Sequence, residues 1–247
     1  MEQKKLQISN IKNIYNTKDV SYNYIEQVKK GLWKSEEYAI NKYFNKTDKI
    51  IDIGCGAGRT TIALYNLGYK KIQGFDLSET LINAARKFAE QRNLPIQFDV
   101  LNMMSTHYEN QEFDVAFLSD CALICIPGRS NRALALKETS KIVKPNGFII
   151  IVTPEDRNIT FADFIDNYNS LWDKGEQDSS LHEFGDFLFN ETSSTKGYGH
   201  FPTNNEFINF VNEIGLELCE TFSRSDIESN PPGIPKRFWI LKNNLNN

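Results

Sequence analysis

Apolar positions along this chain follow two alternating rhythms. Short runs, several of them rich in β-branched residues, read as buried strands: Ile50–Ile53, Lys71–Asp76, Ile96–Asp99, Phe113–Leu123 and Phe148–Val152. Between them lie stretches with helical spacing, Arg59–Leu67, Ser78–Arg92 and Asn131–Val143. In the second, Ser78 stands as the N-cap, and Leu81, Ile82, Ala85, Phe88 and Ala89 share one face. Strand alternating with helix predicts an α/β fold, a mostly parallel sheet covered on both sides. Further on, Thr203-Asn204-Asn205-Glu206 has the form of a capping box, opening a helix that Gly215 ends. Leu216–Phe222 and Arg237–Lys242 then read as two more strands, with Asn230-Pro231-Pro232-Gly233 as a turn between them.

Two segments depart from the alternation. Residues 1–47 form an arm with partial helical periodicity, carrying Tyr15, Tyr22, Tyr24 and Trp33. Residues 154–201 run longer than an ordinary connection. Within them Phe161, Phe164, Tyr168 and Trp172 recur at roughly helical spacing, and Phe184, Phe187, Phe189, Tyr198, His200 and Phe201 are interleaved with acids. The expectation is an inserted lid whose aromatic residues line an acceptor pocket; a satellite apolar patch or dimer surface is the alternative. A single domain is expected, divided into the arm (1–47), a core (48–153), the insertion (154–201) and a closing helix with edge strands (202–247).

Composition narrows the partners more than the chemistry. The 247 residues are 40% hydrophobic, enough for a sizeable core, and hold no long apolar run of membrane-spanning length. A net charge of −4 gives no general attraction to nucleic acid. The charged start, MEQKK, lacks the apolar region of a secretion signal, so a cytoplasmic setting is expected. Cys55, Cys121, Cys125 and Cys219 have no metal-ligand spacing, so no metal is expected. Cys121 and Cys125 read as small packing side chains rather than nucleophiles.

The chemistry concentrates in KIIDIGCGAGRTT, Lys49 to Thr61. Gly54, Gly56 and Gly58 follow a strand and precede a helix, the arrangement of a nucleotide-type cleft at the carboxyl edge of a sheet. A dinucleotide fingerprint needs its third glycine where this chain has Arg59, and no phosphate-loop pattern occurs. Asp52, two residues before Gly54, suits a cationic, phosphate-free ligand better than a pyrophosphate. S-adenosylmethionine is such a ligand, its carboxylate able to face the helix start. Asp76, at the end of the second strand, can accept hydrogen bonds from both ribose hydroxyls.

These motifs resemble the class I S-adenosylmethionine-dependent methyltransferases. The likeness runs from Lys49 to Pro154: DIGCGAG at Asp52–Gly58, GFDLS around Asp76, IQFDVLNM, FDVAFLSDCAL and KPNGFIIIV, in the family's order. It implies a Rossmann-like, doubly wound, seven-stranded sheet with an antiparallel last strand. It further implies S-adenosylmethionine held by Asp52, Gly54, Cys55, Gly56, Gly58, Asp76 and Leu77, with Asp99, Val100 and Leu101 on the adenine side. Ser119 would border the methionine end, and Tyr15, Tyr24 or Trp33 of the arm would touch the cofactor. Methyl displacement needs alignment first and a general base only for some acceptors. His200 is the candidate base, with Asp120 and Tyr198 behind it. The implied protein is a methyltransferase acting on an N, O, S or C nucleophile of a small molecule, as monomer or homodimer, without nucleic-acid or membrane partners. A catalytically silent cofactor-binding protein is the alternative, and a nicotinamide oxidoreductase is disfavoured by Asp52 and Arg59.

Overall fold

The computed structural model describes residues 5–163 and 165–244. Phe164, one of the aromatic residues singled out above, and residues 1–4 of the charged start lie outside that set. Three helices come first: α1 (Ile8–Asn16), α2 (Lys18–Gln27) and α3 (Lys34–Tyr43). The alternating core follows as β1 (Ile50–Ile53), α4 (Arg59–Asn66), β2 (Ile72–Asp76), α5 (Glu79–Gln91), β3 (Gln97–Val100), β4 (Phe113–Leu118), α6 (Arg129–Ile142) and β5 (Val143–Pro154). Two short helices, α7 (Arg157–Thr160) and α8 (Ile165–Asp173), lead to a hairpin of β6 (Asp186–Asn190) and β7 (Lys196–His200). The chain closes with α9 (Asn204–Ile214), β8 (Glu217–Ser223) and β9 (Lys236–Lys242).

Seven strands form one sheet in the order β3-β2-β1-β4-β5-β9-β8, and β6 with β7 forms a separate pair. The strands from β1 to β5 run parallel, while β9 is antiparallel to both neighbours. This is the Rossmann-like sheet with an antiparallel last strand expected above. Because side chains alternate across a strand, successive residues feed opposite layers. Ile51, Ala116, Ile149 and Trp239 pack with α6 and α9 on one face. Ile50, Val115, Ile150 and Phe238 pack with α3 and α4 on the other. Trp239 is buried, and its Nε1–H donates to Thr153 Oγ1 at 2.9 Å, satisfying the polar atom inside the core.

Thr203 caps α9 as its sequence implies: Thr203 Oγ1 accepts from the Glu206 N–H, and the Glu206 carboxylate accepts from the Thr203 N–H. Strand β4, by contrast, stops at Leu118 rather than continuing to Leu123. Asp120 (φ 50°) and Cys121 (φ 71°) adopt the left-handed conformation, which cannot continue a strand, and a 3-10 turn over Ala122–Cys125 follows. The turn takes the chain off the sheet edge at the point where β4 ends.

The arm is joined to the core by a buried charge pair. Arg59, the residue in place of the third glycine, donates to both carboxylate oxygens of Glu36 at 2.6 and 2.7 Å and to the Gly31 carbonyl at 2.7 Å. Both side chains are almost wholly enclosed. Glu36 also accepts from the Trp33 N–H, so one carboxylate caps α3 and neutralises the start of α4.

Removing one partner leaves the other charge buried, so Glu36→Ala is expected to destabilise the protein by about 3–5 kcal/mol. Urea denaturation measures it; a loss no larger than that of an exposed ion pair, about 1 kcal/mol or less, would disprove the assignment.

Candidate functional site

A cleft of about 980 Å³, its open mouth included, lies at the carboxyl ends of β1, β2 and β4. Its floor is the loop between β1 and α4. Gly54 and Gly56 have φ of 70° and 55°, which non-glycine residues rarely adopt. A Cβ on Gly54 would stand 2.5 Å from the Ala122 Cβ, so the loop can pass beneath the 3-10 turn only without a side chain. A Cβ on Gly56 would project between Leu81 and Tyr24 at about 4 Å, into space that the cleft itself occupies. Asp76 closes the loop from β2: its Oδ2 accepts from the Gly56 N–H at 2.9 Å and its Oδ1 from the Ser78 N–H at 2.8 Å. Burial pushes this carboxyl above its ordinary value, and the backbone N–H bonds work against that shift.

Asp52 lies beneath the loop rather than on the cleft wall. Its Oδ2 accepts from Thr61 Oγ1 at 2.6 Å, while Oδ1 is buried without a partner. Burial raises this carboxyl to about 7. Gly58 also sits behind the wall, where it lets α4 and α5 approach through Phe98 and Ala85. Cys55, Leu77 and Leu101 line the cleft, together with Ser119 and Asp120.

The other wall is the arm. Ile8 and Ile11 of α1 form its roof, and Tyr15 and Tyr24 face inward with their rings 5.5 Å apart, edge to face. Tyr15 donates to Cys125 Sγ at 3.4 Å. Burial pushes the Cys121 and Cys125 thiols up to about 12, which leaves both as neutral packing groups. The roof is tied to the insertion, since the Leu6 N–H donates to the Ser180 carbonyl at 3.0 Å and the Leu6 carbonyl lies 2.6 Å from His182 Nε2.

Besides Asp52 and Gly58, five site residues singled out from sequence do not reach the cleft. Trp33 is covered by the Arg224 guanidinium, 4.4 Å from its ring. Asp99 accepts from Tyr108 and Gln97, and Val100 packs into the α5 layer. Their places on the wall are taken by Asn102 and Met103, just past the end of β3. Tyr198 and His200 point into the hairpin instead, donating to Asp186 Oδ1 at 2.8 and 2.9 Å. Asp186 Oδ2 accepts from the His182 and Glu183 N–H groups, so the carboxylate is saturated, and burial pushes the His200 imidazole below its ordinary value against the pull of Asp186. Glu183 and His200 with Asp186 have metal-like spacing, yet this carboxylate is already fully used and Glu183 is paired to Arg132. Phe161, Tyr168, Phe187 and Phe201 pack on one another as a small separate core, not along the cleft.

Sequence reasoning missed Lys236, at the start of β9. It forms an ion pair with Asp120, and this pairing overrides the effect of burial to keep the carboxyl below its ordinary range. Nothing in the local sequence links positions 116 residues apart. The left-handed backbone at Asp120 and Cys121 is strained, and strain of this kind collects at functional sites.

Comparison with known proteins agrees with this geometry. Residues 50–147 match the family model described as "Methyltransferase domain". The mitochondrial ubiquinone biosynthesis O-methyltransferase of Dictyostelium discoideum is 28% identical over 183 residues, 68% of this chain and 57% of that protein. In four curated relatives the matching stretch spans 17–57% of their own length. Among solved structures, an S-adenosylmethionine-dependent methyltransferase from Methanosarcina mazei superposes with a TM-score of 0.69 at 23% identity, covering 86% of this chain and 98% of that one. The [4+2]-cyclase SpnF superposes with a TM-score of 0.67 at 13% identity over 97% of both chains, so the fold alone does not fix the reaction. The family match falls on the core that builds the cleft, and the solved structures share its fold. Among the described residues no helix is long and apolar enough to cross a membrane.

Because the folded pKa of Asp52 lies above the ordinary 3.8, folding favours its protonated form. The associated stability is fully present below about pH 4 and is lost as pH rises through about 7. Asp52→Asn removes this dependence, so the variant's Tm relative to the native protein should climb between about pH 5 and pH 8. An offset that stays constant across that range in thermal denaturation would refute it.

Proposed function

We propose that the protein binds S-adenosylmethionine in this cleft and transfers its methyl group to an N, O, S or C nucleophile of a small-molecule acceptor. One observation carries the reading: the Asp76 carboxylate stands at the floor of a glycine-lined cleft, anchored by backbone N–H groups with lone pairs left for ribose hydroxyls. The space at Gly56 that a Cβ would fill fits close approach of a ligand to the backbone. Leu77, Leu101 and Met103 offer apolar surface to adenine, with Asn102 at its edge. Gly54, Cys55, Gly56 and Gly58 of the loop donate their N–H groups within the protein, so the N–H groups suited to a carboxylate are those of the first turn of α4. Ser119, Tyr15 and Tyr24 would border the methionine side.

When bound, S-adenosylmethionine supplies a methyl group already activated by its sulfonium. The residues of this chain then have to align the acceptor and exclude water. Ile8 and Ile11 roof the cleft, and the Tyr15 and Tyr24 rings present π-faces that favour a cation by about 0.5–2 kcal/mol. Asp120, ion-paired and ionised, is the candidate to orient a donor on the acceptor; Tyr198 and His200 hold the hairpin in place rather than touching the reactants. The roof and the net negative charge favour a small molecule over nucleic acid.

Calorimetric titration should show S-adenosylmethionine binding, and Asp76→Ala should weaken it about ten- to a hundred-fold through lost charge-assisted hydrogen bonds. Binding of NAD in place of S-adenosylmethionine, or an unchanged affinity in the variant, would overturn the reading.

A further inference from the structure

Behind the 3-10 turn at Ala122–Cys125 lies a second cavity, of about 450 Å³ with its open mouth included, that the cofactor reading leaves unused. The turn divides the two spaces: Ala122 and Cys125 line the cleft, whereas Leu123 and Ile124 line the second cavity. Its other walls come from α6, α9, the base of the hairpin and the segment leading into β6, with Phe184, Phe207 and Phe210 as the aromatic part. Charges around this space are already matched. Arg129 pairs with Glu213, Arg132 with Glu183, and Glu206 with Arg157. A cationic or anionic guest would have to compete with one of these pairs, so charge favours neither.

Hydrogen-bonding capacity is what remains. His200 donates from Nδ1 to Asp186, whose carboxylate can only accept, so in the uncharged ring the lone pair lies on Nε2. Burial pushes this imidazole below its ordinary 6.5, and the uncharged form prevails at neutral pH. Among the described residues Nε2 has no hydrogen-bond partner, and it is not sealed inside the protein; the space that His200 lines is the second cavity. Arg132 is buried too. It spends one N–H on the Ile126 carbonyl at 3.1 Å and one on Glu183 at 2.7 Å, leaving other donors of the guanidinium unspent. Glu183 links the two residues: it pairs with Arg132, and a carboxylate oxygen lies within 4.8 Å of a ring nitrogen of His200. An acceptor and a donor thus stand close together on buried side chains.

We propose that this cavity is a second small-molecule site, for an uncharged hydroxyl-bearing aromatic compound whose O–H donates to His200 Nε2, whose oxygen accepts from Arg132, and whose ring rests against Phe207 and Phe210. A hydroxyl is a small neutral group that donates and accepts through one atom; an ammonium cannot accept and a carboxylate cannot donate. The proposal goes beyond the methyltransferase reading and does not depend on it, since neither His200 nor Arg132 lines the first cleft.

The test uses four probes with one ring and different heads: benzyl alcohol, benzyl methyl ether, benzylamine and benzoate. Each is titrated into the whole nitrogen-15-labelled chain, and the imidazole nitrogens are followed by NMR. The chain has three histidines, so the His200 signal is readily assigned. Benzyl alcohol is expected to move the His200 Nε2 resonance saturably while that of His107 stays still. It should bind about ten-fold or more tightly than each of the other three probes. His200→Phe keeps a ring and removes the lone pair, and should erase the advantage of the alcohol over the ether in calorimetric titration. Should that variant fail to fold, the Nε2 resonance of the native protein decides alone. A His200 resonance that stays in place, even where the alcohol binds elsewhere, overturns the proposal. So does an ether or a charged probe that binds as tightly as the alcohol.

Discussion

Asp76 and Gly56 are joined by one hydrogen bond, and the shape of the cleft depends on it. The carboxylate at the end of β2 pulls the N–H of the β1–α4 loop towards itself. The loop can respond because Gly54 and Gly56 tolerate a left-handed backbone and leave the Ala122 Cβ unobstructed. Two strands and a turn are thereby locked at one point of the sheet edge, with a carboxylate already ordered before any ligand arrives. Preorganisation of this kind lowers the entropy that binding must overcome. The cost is a buried charge, held by two backbone N–H groups where water would otherwise solvate it.

The core was legible because its signals are local. Strand, glycine loop and helix occupy thirteen consecutive residues from Lys49 to Thr61, and Thr203 with Glu206 is a self-contained cap. The same holds for Ser78, whose Oγ accepts from the Leu81 N–H. Legibility fails where a residue's role is set by a distant partner. Asp99 looks like an adenine-side acid from its place in β3, yet Tyr108 and Gln97 claim it, and the wall is reached two residues later at Leu101. An edge strand only four residues long gives little purchase on such a register. His200 and Tyr198 lie two apart on β7, so they face the same way, and β-pairing sets His200 opposite Asp186. That facing was readable as period-two spacing; the identity of the partner fourteen residues earlier was not.

Charge organises the site more than aromatic content does. Arg59 occupies a position at which a dinucleotide-binding loop needs glycine, and the exchange makes sense once Glu36 is seen. A guanidinium at the start of α4 opposes the helix dipole and is tolerated because a buried carboxylate answers it. In return the arm is fastened to the core beside the cleft, which places Tyr15 and Tyr24 over the loop. Lys236 plays a comparable part for the strained end of β4, holding Asp120 from the antiparallel strand across the sheet. Charges on the two sides of the cleft are thus fixed by different parts of the chain.

The seam between Leu6 and the Ser180–His182 segment has a kinetic consequence. Because α1 covers the opening while its leading end is sewn to the insertion, neither piece can swing away alone without breaking backbone bonds to the other. Lifting the roof therefore requires one concerted displacement of both pieces, and the strength of that stitching sets how readily it happens.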